Sequence, residues 1–576
     1  MIHPKCRILV GKTGLLLLAI VVAGCSSSGS NDSAESSASA LKLFTGGVIY
    51  TAMEGRFAEA FAVHDGEIIA VGNNAEIQAL NEAGAKRIDL KGRLVLPGLH
   101  DSHVHILEAS SPLSGTCMLD AGKTPEALIG ALRACAPKQR VLDWVLGFGW
   151  DIGSFLASNE DPLAAIDAAI PDRPAAIMEQ TSHAVWVNSR ALEALSITAE
   201  SENPAGGVIA KNANGLPNGL LIDNAGDLAF EVALSRTPAV DEQHLQGLYY
   251  GLSQLASNGI TSFADARAYW TRGFHEFYDA AELQEGLTAR AVLGLWAYPQ
   301  MDDSVQLARL KSLFRRDDAR LVQRTQIKVY VDGITQNTTA RTLRPYLVDY
   351  GFGTPKGLNY FTEDRLTKYI SELERVGYDF HIHAIGAGGV REALNAIERA
   401  RAENPQIADA RHRITHVEHV HPDDIARFAE LGVIADIQLA GEFTDPDLFA
   451  EYNDPLIGED NPVLPLPARA LLDAGAILSL SSDFDVSPLN PFLGIANAVN
   501  RHEGALSVQE AVDAYTINAA FLMRHENRLG SIESGKRADF VVLDQNVFAV
   551  TPDVIADTQV LLTVIDGEEV FRSRAY

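Results

Sequence analysis

The sequence predicts an α/β protein: a (β/α)8 TIM-like barrel with a small β-sandwich domain built from both chain ends and an inserted cap. Three observations support this fold class. Apolar runs recur along the middle of the chain with helical patterns between them. Short alternating segments with Gly and Asp turns stand at both ends. A stretch that is too long for one helix follows the first apolar run.

The first residues of the chain have the pattern of a targeting segment. Lys5, Arg7 and Lys12 precede an apolar run from Gly14 to Ala23. This run is far shorter than the roughly 20 residues with which a helix crosses a bilayer. Residues 1–24 are therefore predicted to be a signal peptide.

The end of this segment resembles the lipobox of bacterial lipoproteins, because small residues lead into Cys25, the residue that becomes lipidated in that class. Residues 25–40 are rich in serine and predict a flexible tether. In some bacteria, Ser rather than Asp after the cysteine, here Ser26, goes with outer-membrane sorting. We expect a protein of the bacterial cell envelope that is held in the outer membrane by its lipid alone and faces the periplasm. An ordinary secretory signal cut nearby is the alternative.

Short alternating strands near both ends predict a β-sandwich made of residues 41–97 and 531–576. The segments are 47–51, 60–64, 67–71, 539–544 and 560–570.

Eight apolar runs between residues 98 and 530 predict the strands of the closed parallel barrel, the first run beginning slightly earlier. The runs are 93–105, 260–265, 289–296, 326–332, 379–383, 413–416, 433–438 and 476–483. An insertion of about residues 107–255 follows the first strand and is predicted to cover the active-site face as a cap, because such loops lie over the barrel mouth.

Composition excludes one class of partner. The chain has 576 residues, a formal net charge of -28 and 47% hydrophobic residues. A nucleic-acid partner requires a basic surface to meet its phosphates. We therefore expect a globular protein that binds no nucleic acid, and the sequence leaves open whether it forms a homo-oligomer.

Several predicted barrel strands end in a residue that can bind a metal. His103 and His105 end the first strand, where alternation presents both imidazoles to one point. His383, His416 and Asp483 end the fifth, sixth and eighth strands, and the carboxyl ends of parallel barrel strands meet at one mouth. Lys328 lies in the fourth strand. The pattern predicts a metal site.

These motifs resemble those of the amidohydrolase superfamily, in the family 3 branch that includes N-substituted formamide deformylases. The resemblance covers roughly residues 43–574. The matching segments are Ala60–Gly72, Leu96–His105, Gly259–Asp265, His383–Gly386, Arg411–His416, Ser482–Asp483, Tyr515–Ala520 and Leu529–Phe540.

The resemblance implies one or two divalent metal ions, with Zn²⁺ expected. His103 and His105 would bind the more buried ion, and His383 and His416 the other. Lys328 falls where many relatives have a carbamylated lysine that bridges two metals, a role that requires a neutral amine. The alternative is an unmodified Lys328, ion-paired to a neighbour, beside a single metal.

The resemblance also implies hydrolysis of a non-peptide C–N bond in a small amide-type substrate, with Asp483 as acid and base. Asp483 could instead cap a helix, since it precedes a turn. A binding or regulatory lipoprotein that has kept the fold but weakened the chemistry is a further alternative. The intact ligand set argues against it.

Other residues carry narrower expectations. His183 matches a recurrent family segment of the cap and would bind substrate or knit the cap by hydrogen bonds, whereas His381 is expected to support a ligand rather than to be one. Cys117 and Cys135 are predicted to form a disulfide, with two buried thiols as the alternative. Two positions depart from the family: Ala387 replaces an Asp and Leu439 replaces a Pro.

Overall fold

A parallel eight-stranded sheet organises the middle of the chain in the computed structural model, which describes residues 41–53, 56–81, 84–111, 117–158, 160–352 and 355–576. Neighbouring strands follow one another in sequence order. The strands are β1 (Leu99–Val104), β2 (Ile260–Ala268), β3 (Arg290–Trp296), β4 (Val322–Tyr330), β5 (Asp379–Ala384), β6 (Arg413–His416), β7 (Ile434–Gln438) and β8 (Leu478–Ser481).

The two outer strands of this sheet, β1 and β8, meet just beyond the end of β8. The backbone N–H of Asp483 donates to the carbonyl of His103 over 2.8 Å, and His105 donates to Phe484 over 2.8 Å. A parallel bridge joins Val104 to Phe484. The barrel is therefore nearly closed, as the predicted TIM-type architecture requires.

Helices follow the strands and cover the outside of the barrel. Their ends agree with local sequence signals: Thr362 caps one helix, and Ser507 forms a capping box with Glu510. The helices of this layer are Ile106–Ser110, Pro238–Ser257, Phe274–Leu283, Asp303–Leu313, Glu363–Glu374, Ala387–Glu403, Pro422–Glu430, Pro446–Ile457, Ala468–Asp473, Pro491–Val499, Val508–Tyr515 and Ile517–Leu522.

Two small sheets combine residues from both chain ends. The four-stranded sheet has the order Glu67–Gly72, Ala60–His64, Lys42–Thr45 and Lys86–Asp89, and helix Asn74–Ala79 follows its strand Glu67–Gly72 in the sequence. The six-stranded sheet has the order Glu568–Arg572, Val560–Ile565, Phe540–Leu543, Leu94–Pro97, Val48–Tyr50 and Phe57–Ala58.

Aromatic packing joins these two sheets. The rings of Phe44 and Phe61, from the first sheet, lie 4.8 Å apart, and each lies 5.0 Å from the ring of Phe540 in the second. Apolar residues of the two sheets therefore share one core.

The inserted residues fold around a five-stranded sheet with the order Gly207–Lys211, Pro217–Asp223, Ala184–Val187, Ala175–Glu179 and Val145–Trp150. Its helices are Pro125–Cys135, Gly153–Leu156, Pro162–Ala169, Ser189–Ala194 and Asn224–Ala233. Cys117 and Cys135 form a disulfide here, with Cα atoms 5.6 Å apart.

Short elements complete the description. A two-stranded ribbon pairs His419–Val420 with Leu464–Pro465, and 3-10 helices span Ala136–Lys138, Trp270–Arg272, Glu442–Thr444 and Pro552–Asp557. No helix in the described part of the chain is both long and apolar enough to cross a membrane. The predicted signal peptide, Cys25 and the tether lie outside the described residues.

Candidate metal centre

Three predicted ligands converge where β1 meets the end of β8. The Nε2 atoms of His103 and His105 lie 3.2 Å apart, and each lies 3.2 Å from Oδ1 of Asp483. Alternation along β1 brings the two imidazoles to the same side, and the barrel closure described above places Asp483 beside them. Three donor atoms that share one point are the arrangement that a bound cation requires.

Electrostatics also favour a cation at this point. Burial opposes a charged ring, but contacts with Asp483 and Glu108 outweigh it and raise the pKa of His105 to about 9. Burial likewise opposes a charged Asp483, but His105, His416 and Lys328 keep its pKa below the usual range. A metal ion would take the place of the proton on His105.

Lys328 lies in β4, completely buried, with Nζ 3.4 Å from Nε2 of His103. Burial lowers the pKa of this amine well below its ordinary value. Within the described chain, no carboxylate lies within 4.0 Å of Nζ to form an ion pair. Burial therefore favours the neutral form of this amine next to the predicted ligands.

His383 and His416 complete the group on the side of β5 and β6. Their ring centroids lie 4.4 Å apart, and Nδ1 of His416 lies 3.9 Å from Oδ2 of Asp483. Nδ1 of His383 is buried without a hydrogen-bond partner among the described residues. Buried nitrogens usually have a hydrogen-bond partner, so a buried nitrogen without one is consistent with a role as a metal ligand.

Two of these candidate ligands have a left-handed backbone conformation, which is unusual for residues other than glycine. His416 has a φ of 75° and Asp483 a φ of 55°. Such conformations cost free energy and are often found at functional sites. Both residues leave their strands at the barrel mouth in this way.

A hydrogen-bond network supports His103 from behind. Its Nδ1 lies 2.8 Å from Oγ1 of Thr415, and the Thr415 hydroxyl donates to Asp436 over 3.1 Å. The Thr415 oxygen can therefore accept from Nδ1–H, which leaves a lone pair on Nε2 of His103 for a cation. His381 lies in the same layer, with Nε2 2.9 Å from Nδ1 of His103 and Nδ1 against Arg413.

The group of His103, His381 and Asp436 also has ligand atoms within 4.8 Å of one another. Asp436 already accepts hydrogen bonds from Ser102 and Ser481 in addition to Thr415. This second group is therefore a hydrogen-bonded support under the predicted site.

Glu108, which was not predicted from the sequence, supports His105. Oε2 of Glu108 lies 3.4 Å from Nδ1 of His105, and Arg267 donates to the same carboxylate over 2.9 Å and 3.2 Å. A carboxylate behind a ligand histidine fixes the ring and raises its basicity. The spacing of three residues from His105, at the start of a helix, was the available signal.

His183 comes from the insertion and lies beside the same site. Its ring centroid is 5.3 Å from that of His383, and its Nδ1 lies 2.6 Å from Oδ1 of Asp223. Asp223 is buried, has a φ of 52°, and was not predicted. Because 40 residues separate the two partners, no local motif connects them.

Ala387 stands where the family usually has Asp, but the carboxyl group of another residue lies near this turn. Asp332, in the loop after β4, accepts hydrogen bonds from the backbone N–H groups of Ile385 and Gly386 over 3.0 Å and 2.9 Å. A carboxylate therefore holds the turn after His383, although it comes from a different part of the chain. The structure gives no comparable account of Leu439.

Cys117 and Cys135 lie in the insertion, and neither belongs to a group that could bind a metal among the described residues. Cys25 lies outside the described residues.

Comparisons with known proteins agree with this geometry. A family model described as the amidohydrolase family matches residues 86–571. The chain is 29% identical to the protein YtcJ of Bacillus subtilis strain 168, covering 92% of this chain and 99% of YtcJ. It is 26% identical to an N-substituted formamide deformylase of Arthrobacter pascens, covering 88% of this chain and 94% of that enzyme. An uncharacterized metal-dependent hydrolase from Pyrococcus horikoshii shares the fold with a TM-score of 0.70 and 22% identity, covering 89% of this chain and 99% of that one.

Proposed function

Because this chain belongs to the amidohydrolase family, we propose that it is a metal-dependent hydrolase which cleaves a non-peptide C–N bond in an amide, formamide or cyclic imide. One observation carries this proposal above all: His103, His105 and Asp483 bring three ligand atoms to one point, each 3.2 Å from the others. The family relationship supplies the class of hydrolase.

The residues at the mouth fit two divalent ions, and we propose Zn²⁺. His103, His105 and Asp483 would hold one, while His383 and His416 would hold the other. A carbamate on Lys328 would bridge them, and the burial of this amine, which lowers its pKa and so favours the neutral form, supports this role. A bound metal would supply a nucleophile from water at neutral pH and would polarise the scissile carbonyl.

Asp483 then acts as base and acid in turn. Its carboxylate accepts a proton from the attacking water while a C–O bond forms at the substrate carbonyl carbon. The same proton passes to the substrate nitrogen as the C–N bond breaks, so the products are a carboxylate and an amine. His183, oriented by Asp223, would hydrogen-bond the substrate carbonyl.

A one-metal site is the second candidate. His103, His416 and Asp483 also have ligand atoms within 4.8 Å of one another, and these three residues are enough to hold a single ion. Lys328 would then stay unmodified and would act through its contact with His103, 3.4 Å away.

Three further features belong to the proposal. The inserted sheet acts as a cap that shapes the substrate pocket, and the two terminal sheets act as a β-sandwich domain. The chain is attached to the outer membrane of a bacterium through lipidated Cys25 and has no other membrane contact.

Metal analysis combined with a substrate screen tests this function. After reconstitution with Zn²⁺, the protein should retain about two equivalents of metal per chain, and one equivalent would favour the one-metal site. A screen of N-formyl and N-acyl amines should detect released amine. Failure to retain metal or to release any amine would contradict the proposal and would favour a binding or regulatory protein.

A further inference from the structure

A cavity lies between the insertion and the barrel mouth, and its walls are largely apolar. The insertion contributes Phe148, Met178 and Phe230, and the barrel side contributes Phe274. Glu108 also lines the cavity and contacts His105. The cavity therefore adjoins the proposed metal centre, where a substituent of a bound substrate would lie.

Arg272 forms part of the polar end of this cavity. Its side chain is only 4% exposed, its Nε donates to Glu231 over 2.7 Å, and its guanidinium carbon lies 4.0 Å above the ring of Tyr269. Its Nη2 is buried and has no acceptor within the described chain. Arg272, which lines the cavity, thus has one strong donor without a partner.

His244 adds a second group with unused hydrogen-bonding capacity. It is 1% exposed, and neither ring nitrogen has a partner among the residues described. Burial and the nearby charge of Arg272 lower the pKa of His244 to about 4, so the ring is neutral at pH 7 and keeps one N–H donor. Buried donors without partners are rare because they cost stability.

The charges around the cavity disfavour an anionic ligand. Two guanidinium groups, those of Arg267 and Arg272, face four carboxyl groups. The four are Glu108, Asp227, Glu231 and Asp485. Each guanidinium is already paired with a carboxyl group, so an added carboxylate would find no unpaired guanidinium, whereas a neutral oxygen could accept the unused N–H groups.

We infer that this cavity receives an uncharged apolar group of the substrate which ends in an oxygen acceptor, and that Arg272 and His244 donate hydrogen bonds to that oxygen. This inference rests on the proposed function, because the apolar group is attached to the amide that reaches the metal centre. It narrows the substrate class to amides whose substituent is apolar along its length and polar at its tip.

Binding to the Asp483→Asn variant, in which hydrolysis is expected to be slowed by about 10² to 10⁴-fold, tests the inference separately from catalysis. Because Asp483 is also a proposed zinc ligand, metal analysis first confirms that the variant holds zinc through the remaining ligands. The probes are N-formylphenethylamine and its para-methoxy and para-carboxy derivatives, and calorimetry measures each Kd on zinc-loaded protein. The methoxy probe should bind about 10-fold more tightly than the unsubstituted probe, and the carboxy probe more weakly than the methoxy probe. Equal Kd values for the first two probes, or binding of neither, would overturn the inference.

A second substitution, combined with Asp483→Asn, identifies the donors. His244→Phe keeps a ring in place and breaks no hydrogen bond within the described protein, so it should fold and reduce the methoxy preference several-fold. Arg272→Leu should abolish the preference but also removes the Glu231 ion pair, so His244→Phe decides the result. His275→Phe is the matched control, because His275 is equally buried but does not line the cavity. An unchanged preference in His244→Phe would contradict the assignment of His244.

The two proposals can fail independently. If wild-type protein releases no amine from any of these amides, the proposed hydrolase function fails. The ratio of the Kd values on the Asp483→Asn variant still decides whether the cavity recognises an uncharged oxygen acceptor.

Discussion

The barrel mouth and the insertion meet at one site, but their residues reach it in different ways. His383 and His416 leave adjacent parallel strands, so strand geometry brings their rings to 4.4 Å from each other. His183 immediately precedes one strand of a separate sheet and Asp223 ends the antiparallel neighbouring strand, so their side chains meet at 2.6 Å and the backbone N–H of Asp223 donates to the carbonyl of His183 over 2.8 Å. Under the proposed function, the barrel would supply the chemistry, and the insertion would supply contacts with the substrate.

The largest expected effect is on kcat and comes from a substitution at the barrel mouth. Asp483→Asn removes the proposed proton acceptor and should lower kcat by about 10² to 10⁴-fold, the range for general acid–base catalysis. Steady-state kinetics on any amide that is turned over measures it. The control is Asp473→Asn, which lies on an exposed helix surface and should leave kcat unchanged. Full activity in Asp483→Asn would place the acid and base elsewhere.

Lys328→Ala distinguishes the carbamate from an unmodified lysine. Loss of a bridging carbamate should reduce bound zinc from about two equivalents to one or fewer and activity by about 10²-fold. Added formate or acetate should restore part of both, because a small carboxylate can occupy the space of the carbamate. No loss of metal in this variant would support the one-metal site.

On the insertion side, the disulfide should matter for stability and not for chemistry. Replacing Cys117 and Cys135 with Ser opens a link across 18 residues and should cost about 3 kcal/mol of unfolding free energy. Thermal unfolding measures the loss, while kcat at low temperature should stay within about two-fold. Labelling of both residues by an alkylating agent without reductant would show that the wild type lacks the bond.

Asp223→Asn tests whether the insertion orients His183. Loss of the carboxylate charge weakens control of the imidazole tautomer and should reduce kcat/KM by about 10 to 100-fold, the range seen for partners that orient functional residues. Bound zinc should not change. Conversely, a variant with full kcat/KM and altered thermal stability would assign Asp223 a purely structural role.

The smallest effect concerns pH and lies entirely in the insertion. Burial, with a contribution from Asp151, raises the pKa of Glu179 to about 7. Because the folded state then holds its proton to higher pH than the unfolded state, wild-type stability falls as pH rises from about 4.5 to 7. Glu179→Gln should remove this fall, so that above pH 7 the variant is the more stable of the two proteins. Parallel stability curves for the two proteins across this range would contradict the shift.

The same contrast explains what could be predicted from the sequence. Periodicity located all eight barrel strands, and parallel geometry then brought His103, His383 and Asp483 together. Asp223 was not predictable, since its contact depends on how an inserted sheet pairs. Asp332 was missed for a related reason: it holds the turn after His383 from a loop more than 50 residues earlier. Contacts that a repeating backbone geometry dictates can be inferred, whereas those that depend on loop paths cannot.

The six-stranded sheet has a consequence for biosynthesis. Its strand Leu94–Pro97 pairs with Val48–Tyr50 on one side and with Phe540–Leu543 on the other. One edge of an early strand therefore stays without its partner until the ribosome has made nearly the whole chain. Domains tend to fold from the N-terminus during synthesis, and unpaired strand edges promote aggregation. This sheet can therefore be completed only when the last strands of the chain are available to pair.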